Sequence, residues 1–136
     1  MKDKFAKLLL VMFVILTVAG CSFSTKVSLT YNVATGDAIK VELDTSDGYK
    51  LSNVDNSFEV LNKDGDTVAT SMFLLAEGTE LYMQSAMENG AIEGAGGYLF
   101  EIEGSKFFLK KLTDDTGIII DYDDDSVIEK LSFSVE

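Results

Sequence analysis

From Val27 to the C-terminus, short runs of alternating apolar and polar residues are broken repeatedly by clusters of Asp, Asn, Gly, Ser and Thr. Alternation with period two sends successive side chains to opposite faces of an extended chain, so each run reads as a strand with one face for a core. Turn clusters this close together favour hairpins over the long crossovers that parallel strands require. Val27, Leu29, Tyr31 and Val33 alternate with Ser28, Thr30 and Asn32; Ala34-Thr35-Gly36-Asp37 turns; Ile39, Val41 and Leu43 then alternate with Lys40 and Glu42. This predicts a hairpin with one apolar face. Asp44-Thr45-Ser46-Asp47-Gly48 is a further turn, and residues 49–56 are ambiguous. A second hairpin is predicted over 57–74: Phe58 and Val60 begin one strand, Asn62-Lys63-Asp64-Gly65-Asp66 turns with an Asp-Gly pair, and Thr67 to Leu74 returns.

One helix is predicted at about 79–89, capped from Gly78-Thr79 and ended by Gly90 in the left-handed conformation. Leu81, Tyr82, Met83, Ala86 and Met87 have helical spacing and read as its core-facing side, although a Met stripe also suits an adaptable groove. Gly90 to Gly97 holds four glycines and reads as a loop. A three-stranded meander follows, over 98–102, 106–112 and 118–122. Phe107-Phe108 and Ile118-Ile119-Ile120 are apolar on both faces, so something must pack on each side of the sheet, and the helix is the candidate for one of them. Ser126 to Leu131 reads as one or two helical turns capped from Asp125 or Ser126, and Ser132 to Val135 as a last strand with Phe133 and Val135 inward. The fold class is therefore α+β: a single domain, with a mostly antiparallel sheet of about six to seven strands, one main helix and a short C-terminal helix. At 136 residues the chain allows one domain.

The first 21 residues have a different character. Lys2, Lys4 and Lys7 precede an apolar run from Leu8 to Ala19, and Gly20-Cys21 follows. A basic start, a short apolar stretch and small residues describe a secretory signal, too short for a spanning helix of about 20 residues. Leu16-Thr17-Val18-Ala19-Gly20-Cys21 resembles the lipobox of bacterial lipoproteins. The resemblance implies recognition of Val18, Ala19 and Gly20 by a dedicated peptidase, cleavage before Cys21, and a diacylglyceryl group on the Cys21 sulfur. Two acyl chains on one residue make a stable membrane anchor where one chain does not. The implied organisation is a signal peptide at 1–20, a lipidated Cys21 with a short tether to residue 26, and a domain at 27–136 on the extracytoplasmic face of the cell membrane. Ser22, where an Asp would retain a lipoprotein in the inner membrane, leaves the outer membrane open in a two-membrane bacterium. The domain resembles small lipoproteins of Gram-positive bacteria, and its order of elements over 37–136 resembles a PsbP-like sandwich in topology alone. No functional residue is carried over from either.

Charge and composition exclude several functions. The chain has 23 Asp and Glu, 11 Lys, and no Arg, His, Trp or Pro. Without residues 1–20 it keeps 22 acidic residues against 8 Lys, a formal −14. So acidic a domain does not bind nucleic acid, where phosphate neutralisation supplies most of the affinity, and it stands off an anionic membrane surface. The lack of His removes the commonest general base, and one Cys leaves neither a disulfide framework nor a multi-thiolate zinc site. One small domain cannot form the two lobes and hinge of a transporter's solute-binding protein. An enzyme is not expected.

The densest charge cluster is Asp121-Tyr122-Asp123-Asp124-Asp125. Asp121, Asp123 and Asp125 match the first three ligand positions of an EF-hand loop, but Ser126 stands where Gly is needed and Ser132 where a bidentate Glu is needed. A weak calcium site of another kind is one reading; an acidic strand end that also favours the start of the short helix is the other. No further cofactor is expected. The leading functional expectation is a non-enzymatic lipoprotein whose domain binds a protein or peptide at a sheet edge or at 90–97, and the alternative is a small-ligand or weak calcium-binding surface module.

Overall fold

The computed structural model describes residues 25–136. The signal peptide expected at 1–20 and the lipidation expected at Cys21 fall outside the described residues. The fold is α+β, with antiparallel pairing throughout, one main helix and a short C-terminal helix. Strands β1 (Lys26–Asn32), β2 (Ala38–Asp44) and β10 (Leu131–Val135) form a small sheet in the order β1-β2-β10. Strands β3 (Lys50–Val54), β4 (Ser57–Leu61), β5 (Thr67–Leu75), β6 (Ile92–Gly94), β7 (Gly97–Ile102), β8 (Ser105–Lys111) and β9 (Thr116–Tyr122) form a large one in the order β3-β4-β5-β9-β8-β7-β6. Helix α1 (Ala76–Glu88) carries the chain from central β5 to the far edge, and the β6–β9 meander walks back to pair with β5. Helix α2 (Asp125–Lys130) then leads into β10.

The result has three layers. One face of the large sheet packs on the small sheet through Phe58, Val60, Phe108, Ile118 and Ile120 against Ile39, Val41 and Leu43. The other face packs under α1 through Leu74, Phe100, Leu109 and Ile119. The doubly apolar β9 is thereby explained: Ile118 and Ile120 enter one core and Ile119 the other. Filling both cores is the main stabilising term, since burying an aliphatic or aromatic side chain is worth about 1.5–3 kcal/mol.

Five local readings change. The helix starts at Ala76, directly out of β5, and its N-cap Leu75 makes no side-chain cap bond. Thr79 is not a cap; its hydroxyl donates to the Leu75 carbonyl at 3.0 Å. At the other end Gly90 has φ +74° as expected, and the Ala91 N–H reaches the Ala86 carbonyl at 3.0 Å while the Gly90 N–H reaches Met87 at 3.2 Å. The buried side of α1 is narrow, Thr79 and Ala86 with Met83 half-buried, whereas Leu81 is 69% exposed and Tyr82 and Met87 are exposed too. Small residues there let α1 lie close to β9, so close that a Cβ on Gly117 would meet Thr79.

Residues 90–97 are not all loop: β6 pairs with β7 across Ala95-Gly96, whose φ values of +56° and +83° suit a two-residue hairpin turn. Asp124, one residue earlier than predicted, caps α2. Val135 shares the Phe133 face of β10 but stays exposed at the rim.

Candidate functional site

The predicted acidic cluster does not converge. Asp121 is exposed on β9 opposite Thr70, and Asp123 follows the strand with its N–H on the Val68 carbonyl at 2.9 Å. Asp125 pairs with Lys106 at 2.8 Å. That bond is the main reason the Lys106 ammonium is held above its usual range. Asp124, which the spacing argument passed over, is the residue tied into the fold. Its Oδ2 accepts from the Tyr49 hydroxyl at 2.5 Å, and its Oδ1 accepts from the Ser126 N–H at 3.0 Å and hydroxyl at 2.7 Å. Tyr49, then Ser126, hold the Asp124 carboxyl below the usual carboxylate range. Among the described residues no three His, Cys, Asp or Glu side chains are placed to hold a metal ion. Val18, Ala19, Gly20 and Cys21 lie outside those residues.

A second polar knot joins the two sheets. Asp37, in the β1–β2 turn, accepts at Oδ2 from the hydroxyls of Thr113 and Thr116, each at 2.7 Å, and Thr35 adds a longer bond at 3.4 Å. Thr113, then Thr116, lower the Asp37 pKa, with Thr35 adding to them against some desolvation. Thr116 is buried, and every donor here is satisfied within the knot, so it reads as a clamp.

A cleft of about 670 Å³ lies elsewhere. It is a consequence of unequal strand lengths: β5 has nine residues and its neighbour β4 has five. Their ladder ends at Glu59–Thr70. Beyond it the Ser71 side chain replaces the main chain, with Oγ donating to the Phe58 carbonyl at 2.8 Å and accepting from the Phe58 N–H at 3.1 Å. The Ser57 and Ser71 hydroxyls also bond. The β3–β4 hairpin then turns away at Asp55-Asn56, leaving the end of β5 without a strand on that side among the described residues.

The cleft's walls are the hairpin tip, Val54 to Glu59, and the start of the β1–β2 turn, Asn32 to Ala34; its floor is Thr70 to Phe73. Phe58 and Phe73 sit edge-on at 6.4 Å, and Tyr31 packs behind them, 5.5 Å from Phe73. The Tyr31 hydroxyl is buried and has no hydrogen-bond partner among the described residues. Burial raises its pKa. Met72 is 48% exposed at the floor and Val54 38% exposed at the wall. The charged lining residues are Asp55 and Glu59, with no Lys among them. A smaller cleft of about 270 Å³ shares Asn32, Asp55 and Asn56 and runs on past β1.

This arrangement suits binding. It offers an apolar floor and open main chain. The exposed end of β5 was not anticipated: the sequence reading pointed to sheet edges, and this gap is inside a sheet. Ser71, a polar residue at an inward position of an apolar strand, is its one sequence signal.

No protein-family model matches the chain, and no curated protein or solved structure matches it.

Proposed function

We propose that the protein is a membrane-anchored extracytoplasmic lipoprotein whose domain works as a non-enzymatic module for binding a protein or peptide partner. The anchor half rests on the lipobox resemblance of residues 16–21. The binding half rests on one observation: an open cleft of about 670 Å³, walled by Phe58 and floored by Met72 and Phe73, is built where a strand end lacks a partner among the described residues. The lack of His in the chain, which removes the commonest general base, favours binding over catalysis. The acidic domain is repelled by anionic headgroups and stands off the lipid.

Two measurements test the two halves. Cys21→Ser should abolish metabolic labelling with a fatty acid and move the protein out of the membrane fraction; labelling that survives overturns the anchor. A photo-crosslinking amino acid at Met72, irradiated in intact cells, should give a discrete adduct absent when the crosslinker replaces exposed Asp64 on the far turn. Equal or no adducts at both positions overturns the binding reading.

A further inference from the structure

We propose that the cleft takes an extended, cationic peptide, which hydrogen-bonds to the main chain of β5 at Phe73 and sets a Lys or Arg between Asp55 and Glu59. The inference rests on the partner-binding reading and names the class of partner.

The direction of the β5 main chain follows from its pairing. The Asp123 N–H donates to the Val68 carbonyl, and extending the β5–β9 register one step past Ala69–Tyr122 sets these two residues opposite. In an antiparallel ladder the residues that exchange hydrogen bonds alternate with those whose N–H and C=O point the other way. Val68, Thr70, Met72 and Leu74 therefore bond to β9, and Ser71 and Phe73 turn their main chain toward the β4 side. At Ser71 the side-chain hydroxyl meets the Phe58 main chain on that side. At Phe73, β4 has already ended. Both its N–H and its C=O thus face the cleft, with no strand opposite them among the described residues. The Leu75 N–H points the same way, while the Leu75 carbonyl is engaged by Thr79.

A peptide laid in line with β4 would restore this ladder. Its side chains would alternate between Phe73 on the sandwich side and Met72 on the helix side. Exposed Met72 and Val54, both lining the cleft, supply apolar contact there.

Charge selects the occupant. Asp55 and Glu59 stand on the wall, and no Lys lines either connected cleft. A cation on the peptide meets two carboxylates, whereas an anion or a second copy of this acidic domain meets repulsion. The two edges of the large sheet invite addition less: β6 has only three residues, and β3 begins with exposed Lys50.

The full chain in detergent is titrated calorimetrically with an end-blocked heptapeptide, Thr-Val-Lys-Val-Lys-Val-Thr. The same sequence with Glu for Lys is titrated beside it, as are two N-methylated versions, each blocking alternate amides. The Lys peptide should bind saturably, the Glu peptide at least tenfold more weakly, and one of the two N-methylated peptides at least tenfold more weakly than its parent. Asp55→Lys with Glu59→Lys should reverse the Lys-over-Glu preference; Asp55→Asn with Glu59→Gln, which perturbs the surface less, should erase it. No binding by the Lys peptide, equal binding of Lys and Glu peptides, or full binding by both N-methylated peptides overturns the inference. So does a dimer in sedimentation that Met72→Lys disperses, since a second copy would then cover the cleft. If the Met72 crosslink in cells persists while these titrations fail, the partner-binding reading stands and strand addition alone falls.

Discussion

Gly117 lies directly beneath Thr79 where α1 crosses β9: a Cβ on Gly117 would sit 2.8 Å from Thr79 Cγ2 and 3.0 Å from Thr79 Cβ. Real carbon atoms do not approach that closely. Gly117→Ala should therefore push α1 off the sheet and cost about 1–3 kcal/mol in urea unfolding, the usual range for overpacking. Thr79→Ala removes the nearer atoms, so the double variant should recover part of the loss. Equal stability of Gly117→Ala and the parent protein would mean that α1 is not seated on β9 as described.

The Asp37 knot makes a pH prediction. Asp37 has a lowered pKa in the folded chain, through Thr113 first and then Thr116. A carboxylate whose folded pKa lies below its unfolded one contributes in full above the unfolded value, near ~3.9. It loses that contribution as pH falls through the folded value. Asp37→Asn should flatten the fall of melting temperature with pH on the acid side and leave the slope between pH 6 and 7 unchanged. An identical acid limb in both proteins would remove Asp37 from the linkage.

The hairpins and the meander were legible because their evidence is local: period two, and Asp-Gly or Glu-Gly at the turns. The division into two sheets was not. Nothing within Leu131–Val135 tells that it pairs with β2 at the other end of the chain, since that depends on which apolar faces remain uncovered after the large sheet forms. Ten strands appear because β3 and β6 join those the pattern marked. β6 was hidden by the glycines around it: Gly96 serves the turn, and Gly97, in β7, lets the chain approach Phe108 closely. The cleft was illegible for a related reason, being the difference in length between β4 and β5. The acidic run at 121–125 drew attention through spacing, whereas its structural role rests on Asp124, which spacing cannot single out.

Two buried tyrosines should respond oppositely to the same change. Tyr49 donates to Asp124 at 2.5 Å and lies 2.7 Å from the Ser126 hydroxyl. Tyr49→Phe should cost about 0.5–1.5 kcal/mol. Asp124→Ala, which removes the cap of α2, should cost about 1 kcal/mol. Because they share one network, the double variant should lose less than the sum. Tyr31 has no partner for its hydroxyl among the described residues. Tyr31→Phe should leave stability unchanged or raise it by up to about 1 kcal/mol, since a buried unpaired hydroxyl is costly. A loss at Tyr31 equal to that at Tyr49 would reveal a bond that the geometry does not contain.

The β6–β7 turn carries removable strain. Ala95 adopts φ +56°, a conformation that costs an ordinary L-residue roughly 1–2 kcal/mol, and Gly96 follows at φ +83°. Asn-Gly is the preferred pair for such a turn, because Asn tolerates positive φ at the first position. Ala95→Asn should therefore stabilise the domain by about 0.5–1 kcal/mol in urea unfolding. Gly96→Ala should do the reverse, since its Cβ would combine positive φ with an approach of 3.2 Å to Lys110 Nζ. Glu103-Gly104, with φ values of +51° and +86°, turns β7 into β8 in the same way, so Glu103→Asn should stabilise similarly. If Asn stabilises at 103 and not at 95, the short β6 strand is not paired in solution and residues 90–97 revert to the loop that their glycines predict.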